Sequence, residues 1–151
     1  MVHRFETSVG IAATRQRVWT VLSDVAEMPG WTASMTRVQL QPAGPLAVGS
    51  AARIRQPRLG TARWVVTDLA PERSFTWRSR RPGVTATASH VIEDGSAEVT
   101  VHLAVELSGP LARLVAALSG SLTKRYLGME AEGLKARCEQ AGPPSAVEGP
   151  Q

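Results

Sequence analysis

Few side chains of this sequence are placed to do chemistry, and His90 is the most informative of them. It lies in "VTATASHVI", residues 84–92, where an extended chain puts it on the same face as Ala86 and Ala88. An imidazole among small apolar side chains can hydrogen-bond a ligand carbonyl or hydroxyl, or act as a general acid–base near neutral pH. The alternative is a structural histidine that is bonded to a backbone carbonyl or to Tyr126.

The motifs of common catalytic and metal sites are absent from the sequence. A serine–histidine–aspartate triad needs an acid that orients the histidine, and no inward carboxylate falls on the strands beside His90. Three scattered histidines do not form a hydrolytic metal cluster, and "GSAARIR" lacks the spacing of a phosphate-binding loop. Cys138 is the only cysteine, which excludes an intrachain disulfide and a cysteine-based metal site. We therefore expect neither a metal nor an organic cofactor.

Apolar periodicity indicates the first elements that must position such residues. Residues 3–11 alternate between apolar and polar side chains, which predicts a half-buried strand. Thr14 is the predicted N-cap of a helix over about 15–23. A second, short helical turn follows and ends at Pro29–Gly30, because proline and glycine together break a helix.

The rest of the chain changes period twice. Six segments between 34 and 107 alternate with a period of two, and short turn signals separate them, which predicts an antiparallel meander. After Pro110 the period returns to 3.6, and a helix is predicted to run to about Glu139. The Pro/Gly/Ser-rich tail over 140–151 is predicted to be disordered. The apolar stripe of the long helix comprises Leu111, Leu114, Leu118, Leu122, Arg125 and Met129, with Tyr126 beside it.

Side-chain parity along the predicted strands indicates which residues face the core. The apolar set of the last strand, including Val101 and Leu103, must point inward, so His102 points outward. A strand that faces a filled core carries Val, Ile or Leu, because interiors are densely packed, and Ala86 and Ala88 therefore indicate a cavity. The alternative is that two inward tryptophans of neighbouring strands fill this volume. The predicted ligand-binding residues are Trp64, Trp77, Ala86, Ala88, His90, Val101, Leu103, Leu118, Leu122, Arg125, Tyr126 and Met129.

Charge and composition bear on partners and compartment. The net charge is +4 and the pI about 10.2, and the basic residues that share the predicted convex face are Arg53, Arg55, Arg63, Arg78 and Arg80. Such a face can bind anionic surfaces, but no aromatic side chains are interleaved to stack bases. We expect a solvated face, no specific nucleic-acid partner, and at most weak contact with a membrane surface. Because the sequence shows neither a signal-peptide core nor a spanning apolar run, we expect a cytoplasmic location. We also expect a monomer or homodimer.

The order of elements resembles that of the START-like, or SRPBCC, superfamily, which includes Bet v 1, polyketide cyclases and lipid-transfer domains. The resemblance rests on "VWTVLSDVAEMPGW" near the start, on the "VGS" entry to the third strand and on the helix segment "YLGMEAEGLK". It implies an α+β helix-grip fold, in which a seven-stranded antiparallel sheet wraps around a long C-terminal helix and two short helices follow the first strand. One ligand-binding domain would cover residues 1–139.

The resemblance also implies what the cavity holds. A small, mainly hydrophobic ligand, such as a lipid, a sterol-like ring or a polyketide, would bind inside the domain. The alternative is an enzyme of the polyketide cyclase or dehydratase type that acts in the same cavity. In that case Arg125 and Tyr126 would assist the folding of a reactive chain.

Overall fold

In the computed structural model, which describes residues 2–140, a seven-stranded antiparallel sheet curls around a long C-terminal helix. The strands are β1 (Val2–Ile11), β2 (Arg37–Gln41), β3 (Ala51–Gln56), β4 (Gly60–Ala70), β5 (Ser74–Arg81), β6 (Val84–Asp94) and β7 (Val99–Ser108). The helices are α1 (Arg15–Ser23), a short 3₁₀ helix (Val25–Gly30) and α2 (Ala112–Gln140). The order across the sheet is β1-β7-β6-β5-β4-β3-β2, which confirms the predicted helix-grip fold. Apart from Gln140, the predicted tail lies outside the described residues.

The segment between β1 and β2 connects the sheet to the long helix. The Thr14 hydroxyl accepts a hydrogen bond from the Arg17 N–H at 3.0 Å, so Thr14 caps α1 as predicted. The 3₁₀ helix ends at Gly30, and Trp31 follows as a buried residue. A Cβ on Gly133 of α2 would lie only 1.8 Å from the Trp31 carbonyl oxygen, so this close approach needs glycine. The chain therefore turns against α2 at this point.

Strand parity agrees with the sequence prediction. Val101 and Leu103 are almost completely buried, whereas the His102 side chain between them is 43% exposed. In β5, Phe75 and Trp77 are buried on the same face. The inward face of the sheet is therefore the one that the alternation predicts.

Helix α2 presents a different face to the core from the predicted one. Leu111 and Leu114 are exposed, and Leu118 is 79% exposed, so the leucine stripe faces solvent. The inward positions of the carboxyl-terminal half are Leu127, Ala131, Leu134 and Cys138. The prediction was wrong because it took large aliphatic side chains as the mark of the inner face. In the amino-terminal half that face lines a cavity, and several of its side chains are small or polar.

Helix α2 packs mainly on one side of the inward face, over β1 and β7. A Cβ on Gly120 would lie 3.2 Å from the Phe5 ring of β1. The Lys135 ammonium donates to the Gly10 carbonyl at 2.9 Å, near the other end of the same strand. This off-centre packing leaves space between α2 and strands β3 to β6. Within residues 2–140, neither α-helix combines the length and the apolarity needed to cross a membrane.

Candidate functional site

A cavity of about 210 Å³ lies between α2 and the inward face of strands β3 to β7. Its deep end is buried, and its other end reaches the surface between two turns, β3–β4 and β5–β6. Exposed Gly60 and Arg81 and half-buried Leu59 and Val84 lie at that end. The predicted residues that line the cavity are Trp64, Trp77, Ala86, Ala88, His90, Leu103 and Tyr126.

The other five predicted residues lie elsewhere, and their placement at the cavity is corrected here. Val101 is fully buried in the core that continues beyond the cavity. Leu118 and Arg125 are exposed, and Leu122 and Met129 are half-buried on the helix side that is turned away from the sheet. The four helix residues lie away from the cavity for one reason. The helix is rotated about its axis relative to the orientation that the predicted stripe required. None of the five is among the residues that line this cavity within residues 2–140.

The two inward tryptophans form a wall of the cavity rather than filling it. Their ring centroids are 6.1 Å apart with the planes tilted by 42°. Trp77 is buried between neighbouring strands, and Trp64 is half-buried toward the open end. Small side chains at Ala86 and Ala88 leave the volume beside these rings free, as the sequence predicted.

His90 is fixed at the deep end of the cavity. It is 3% exposed, and its ring stacks on Phe75 at a centroid distance of 4.1 Å, with its edge toward Trp77. Its Nδ1 lies 3.2 Å from the Phe75 carbonyl oxygen. Because a carbonyl can only accept, Nδ1 carries the hydrogen, and Nε2 is left to face the helix. His90 therefore makes the backbone hydrogen bond expected of a structural histidine through Nδ1, and its Nε2 remains directed toward α2 at the cavity wall.

Glu130 of α2 is the functional candidate that the sequence reasoning missed. It lines the cavity at 7% exposure, and its Oε2 lies 3.5 Å from His90 Nε2. This separation suits an ion pair but is longer than a direct hydrogen bond. No group within residues 2–140 donates a hydrogen bond to Oε2. A helical signal existed, since Glu130 lies four residues after Tyr126 on one face of α2, but the search for a carboxylate covered only the strands.

The chemistry available to this pair follows from its geometry. Nδ1 of His90 is committed to the Phe75 carbonyl, so Nε2 is the ring nitrogen that faces Glu130. An imidazole nitrogen and a carboxyl group are both able to take up or release a proton, and here they lie side by side at the cavity wall.

Three hydroxyl groups of α2 line the cavity above this pair. Ser119 donates to the Val115 carbonyl at 2.8 Å, and Thr123 donates to the Ser119 carbonyl at 2.9 Å. Tyr126 donates to the Pro57 carbonyl, which connects α2 to the β3–β4 turn. Because each hydroxyl hydrogen is used in this way, each oxygen keeps its accepting lone pairs for the cavity.

A second depression lies at the opposite end of the sheet, between the short helices and the β2–β3 connection. Its volume is about 640 Å³, and its lining includes Trp19, Leu40 and Leu69. Ala43, Gly44 and other lining residues of the connection are exposed, so it is an open groove. The polar side chains among its lining residues are those of the neighbours Ser23 and Asp24. We therefore take the smaller, more enclosed cavity as the candidate site.

Other groups with reactive potential do not form a site. Burial raises the pKa of the Cys138 thiol to about 11, so this thiol is not an activated nucleophile. The residues from 2 to 140 contain no cluster of three His, Cys, Asp or Glu that is suited to hold a metal ion. On the convex face Arg53 is paired with Arg63 across β3 and β4, and Arg78 is opposite Val65 on β4. The shared arginine face is thus present, and its predicted lack of nucleic-acid affinity stays a prediction.

Comparison with known proteins agrees with this architecture. The family model described as "Polyketide cyclase / dehydrase and lipid transport" matches residues 2–139. The search of curated proteins finds no match to this chain.

Similar solved structures cover most of the chain at low sequence identity. The Zhui aromatase/cyclase from a Streptomyces species is 16% identical with a TM-score of 0.80, over 97% of this chain and 99% of that one. A START superfamily protein from Mycobacterium smegmatis is 17% identical with a TM-score of 0.70, over 91% and 98%. The di-domain ARO/CYC StfQ from the steffimycin biosynthetic pathway is 11% identical with a TM-score of 0.75. That match covers 93% of this chain, which spans about half of StfQ (51%). At these identities the similarity establishes the fold.

Proposed function

We propose that the cavity of this chain binds a small, mainly hydrophobic molecule, because the chain belongs to the family described as polyketide cyclase / dehydrase and lipid transport. The observation that carries this proposal is the cavity itself, a volume between α2 and an apolar sheet wall that opens to the surface at one end. Ligand sites are typically apolar clefts with a few convergent polar groups, and this cavity has both. Its apolar surface is supplied by six of the predicted residues, which are Trp64, Trp77, Ala86, Ala88, Leu103 and Tyr126.

The size of the cavity limits its occupant. At about 210 Å³, it is smaller than the roughly 300–1,000 Å³ of sites for drug-sized molecules. A compact ring system or a short acyl chain fits this volume better than a complete membrane lipid. Among the expected lipid, sterol-like and polyketide ligands, we therefore favour a small polyketide-derived or aromatic molecule. The expectations of no cofactor, of a cytoplasmic location and of a monomer or homodimer remain predictions.

Native mass spectrometry tests this proposal. The protein is incubated with a small-molecule extract of cells, separated from free compounds and sprayed under non-denaturing conditions. We expect an added mass that is present in the original protein and absent from Ala86→Leu, in which a larger side chain enters the cavity. No bound species in repeated extracts, or equal binding by Ala86→Leu, contradicts binding in this cavity.

A second candidate function is an enzyme of the cyclase or dehydratase type, and one specific observation favours it. His90 and Glu130, two groups that can exchange protons with a substrate, lie side by side at the deep end of an apolar cavity. General acid–base catalysis needs such a pair within reach of the substrate. Arg125, which was expected to assist, is exposed and is not among the residues that line the cavity within residues 2–140. In an assay of a true substrate, His90→Ala should abolish turnover without unfolding the protein, and full turnover by this variant would exclude the assignment.

A further inference from the structure

One wall of the cavity is a row of hydrogen-bond acceptors, which we call the acceptor row and define as Ser119, Thr123, Tyr126 and Glu130. All four line the cavity, and their spacing of four, three and four residues puts them on one face of α2. From first to last they span about 16.5 Å at 1.5 Å per residue. The row therefore forms the helix side of the cavity.

Every member of the acceptor row has accepting capacity that the described residues leave unused. The three hydroxyl hydrogens are donated to the carbonyls of Val115, Ser119 and Pro57. The Glu130 Oε2 atom is buried and accepts no hydrogen bond within residues 2–140. A buried oxygen without a donor has lost its hydrogen bonds to water without replacement, so an occupant that supplies a donor is favoured over one that does not.

The opposite wall has a different character. The sheet side presents alanine, leucine and tryptophan side chains to the same volume, among them Ala86, Leu103 and Trp77. A molecule that satisfies both walls has an apolar face for the sheet and hydrogen-bond donors along the edge that faces α2. Hydroxyl groups on a ring system meet both requirements.

We infer that the ligand of this cavity is an apolar ring molecule with hydroxyl groups on the edge that faces α2, and that Glu130 accepts a hydrogen bond from one of them. This inference rests on the proposed function, because it names the chemistry of the molecule that occupies the same cavity. His90 lies beside this carboxyl group, with its ring stacked on Phe75 and its Nε2 3.5 Å from Oε2.

The charges around the cavity favour a neutral donor over a charged one. Arg81 lines the open end, and His90, a second basic side chain, lies 3.5 Å from the Glu130 carboxyl at the deep end. An ammonium ligand would lose its hydration in an apolar cavity that holds one carboxyl group and two basic side chains. A carboxylate ligand would meet the acceptor row. A hydroxyl group avoids both costs.

Two probes of nearly equal shape test the inference. 2-Naphthol carries one hydroxyl donor, and 2-methoxynaphthalene replaces it with an ether that cannot donate. Affinities are measured by the quenching of tryptophan fluorescence, because Trp64 and Trp77 line the cavity. We expect the wild-type protein to bind 2-naphthol about 10- to 100-fold more tightly, which corresponds to one hydrogen bond to a charged or polar buried acceptor.

Variants of Glu130 connect this preference to the acceptor row. Glu130→Met removes the acceptor at similar volume and should reduce the preference for 2-naphthol to within about 3-fold, given the loss of one such bond. Glu130→Gln keeps a carbonyl oxygen and should retain an intermediate preference, which also covers the case that the Met variant does not fold. Glu132→Met is the matched control, because Glu132 is exposed on the same helix and should leave the preference unchanged.

The outcomes separate the two levels of the proposal. Equal binding of both probes by the wild-type protein, or an undiminished preference in both Glu130 variants, overturns the acceptor row while leaving apolar ligand binding intact. Failure of both probes to bind counts against the proposed function for ring ligands, and the inference fails with it. A strong preference in the wild-type protein that is lost in Glu130→Met and kept in Glu132→Met supports the inference.

Discussion

Replacing Ala86 by leucine should stabilise the protein, and the sign of this effect tests whether the cavity is real. Ala86 lies between Ser79 and Leu107 on neighbouring strands, and all three line the cavity of about 210 Å³. Leucine adds three carbon atoms, and each buried carbon contributes about 0.8 kcal/mol. An upper estimate of the gain is therefore about 2.4 kcal/mol. If the wall were packed solid, the same change would cost about 1–3 kcal/mol through overpacking.

The free energy of unfolding is measured by urea denaturation, with Ala52→Leu as the control. Ala52 is 1% exposed in the core and does not line the cavity, so the added atoms have no space and stability should fall by about 1–3 kcal/mol. We expect opposite signs for the two variants, together with loss of ligand binding by Ala86→Leu. A fall in stability of similar size in both variants would refute the cavity.

Further substitutions test the orientation of α2 and the environment of its residues. Leu134→Ala should lower the free energy of unfolding by about 3–5 kcal/mol, since Leu134 is fully buried. Leu118→Ala, at an exposed position, should change the free energy of unfolding by less than about 0.5 kcal/mol. A larger loss for Leu118→Ala than for Leu134→Ala would instead show that the leucine stripe faces the core. Gly128→Ala should stabilise by about 0.5–1 kcal/mol, because its Cβ would meet open space. Gly133→Ala should destabilise by about 1–3 kcal/mol, because its Cβ would collide with the Trp31 carbonyl. Equal changes in stability for Gly128→Ala and Gly133→Ala would contradict the close approach of α2 to Trp31. Burial raises the pKa of the Cys138 thiol from 9.0 to about 11, so the unfolded chain loses this proton at a lower pH than the folded protein does. The free energy of unfolding in urea should therefore fall between pH 9.0 and about 11 relative to that of Cys138→Ala. Parallel pH profiles for the two proteins would exclude that shift.

The sheet could be predicted from the sequence because a period of two leaves only two choices for each strand. The apolar side chains decide between them, as Val101 and Leu103 show by their burial beside exposed His102. The small residues Ala86 and Ala88 then located the cavity. These inferences needed no knowledge of how the strands contact α2.

The helix wall could not be predicted in the same way. A helix offers many rotations, and size alone favoured the stripe that contains Leu118, which is exposed. The face that lines a cavity need not be the most apolar one, because a bound molecule and not the core covers it. Glu130 was missed for this reason, since a carboxyl group on an inner helix face is costly unless it has a partner. That partner, His90, comes from β6, forty residues away along the chain.

The most direct test of the account is a ligand titration followed by the indole N–H signals of the four tryptophans, each assigned by a Trp→Phe variant. Trp64 and Trp77 line the cavity, Trp19 lines the open groove at the other end, and Trp31 is buried in the core. With 2-naphthol as the probe, the account predicts that the signals of Trp64 and Trp77 shift in a saturable way while those of Trp19 and Trp31 stay in place. Shifts confined to Trp19, or no shift at any indole at saturating probe, would contradict binding in the cavity beneath α2.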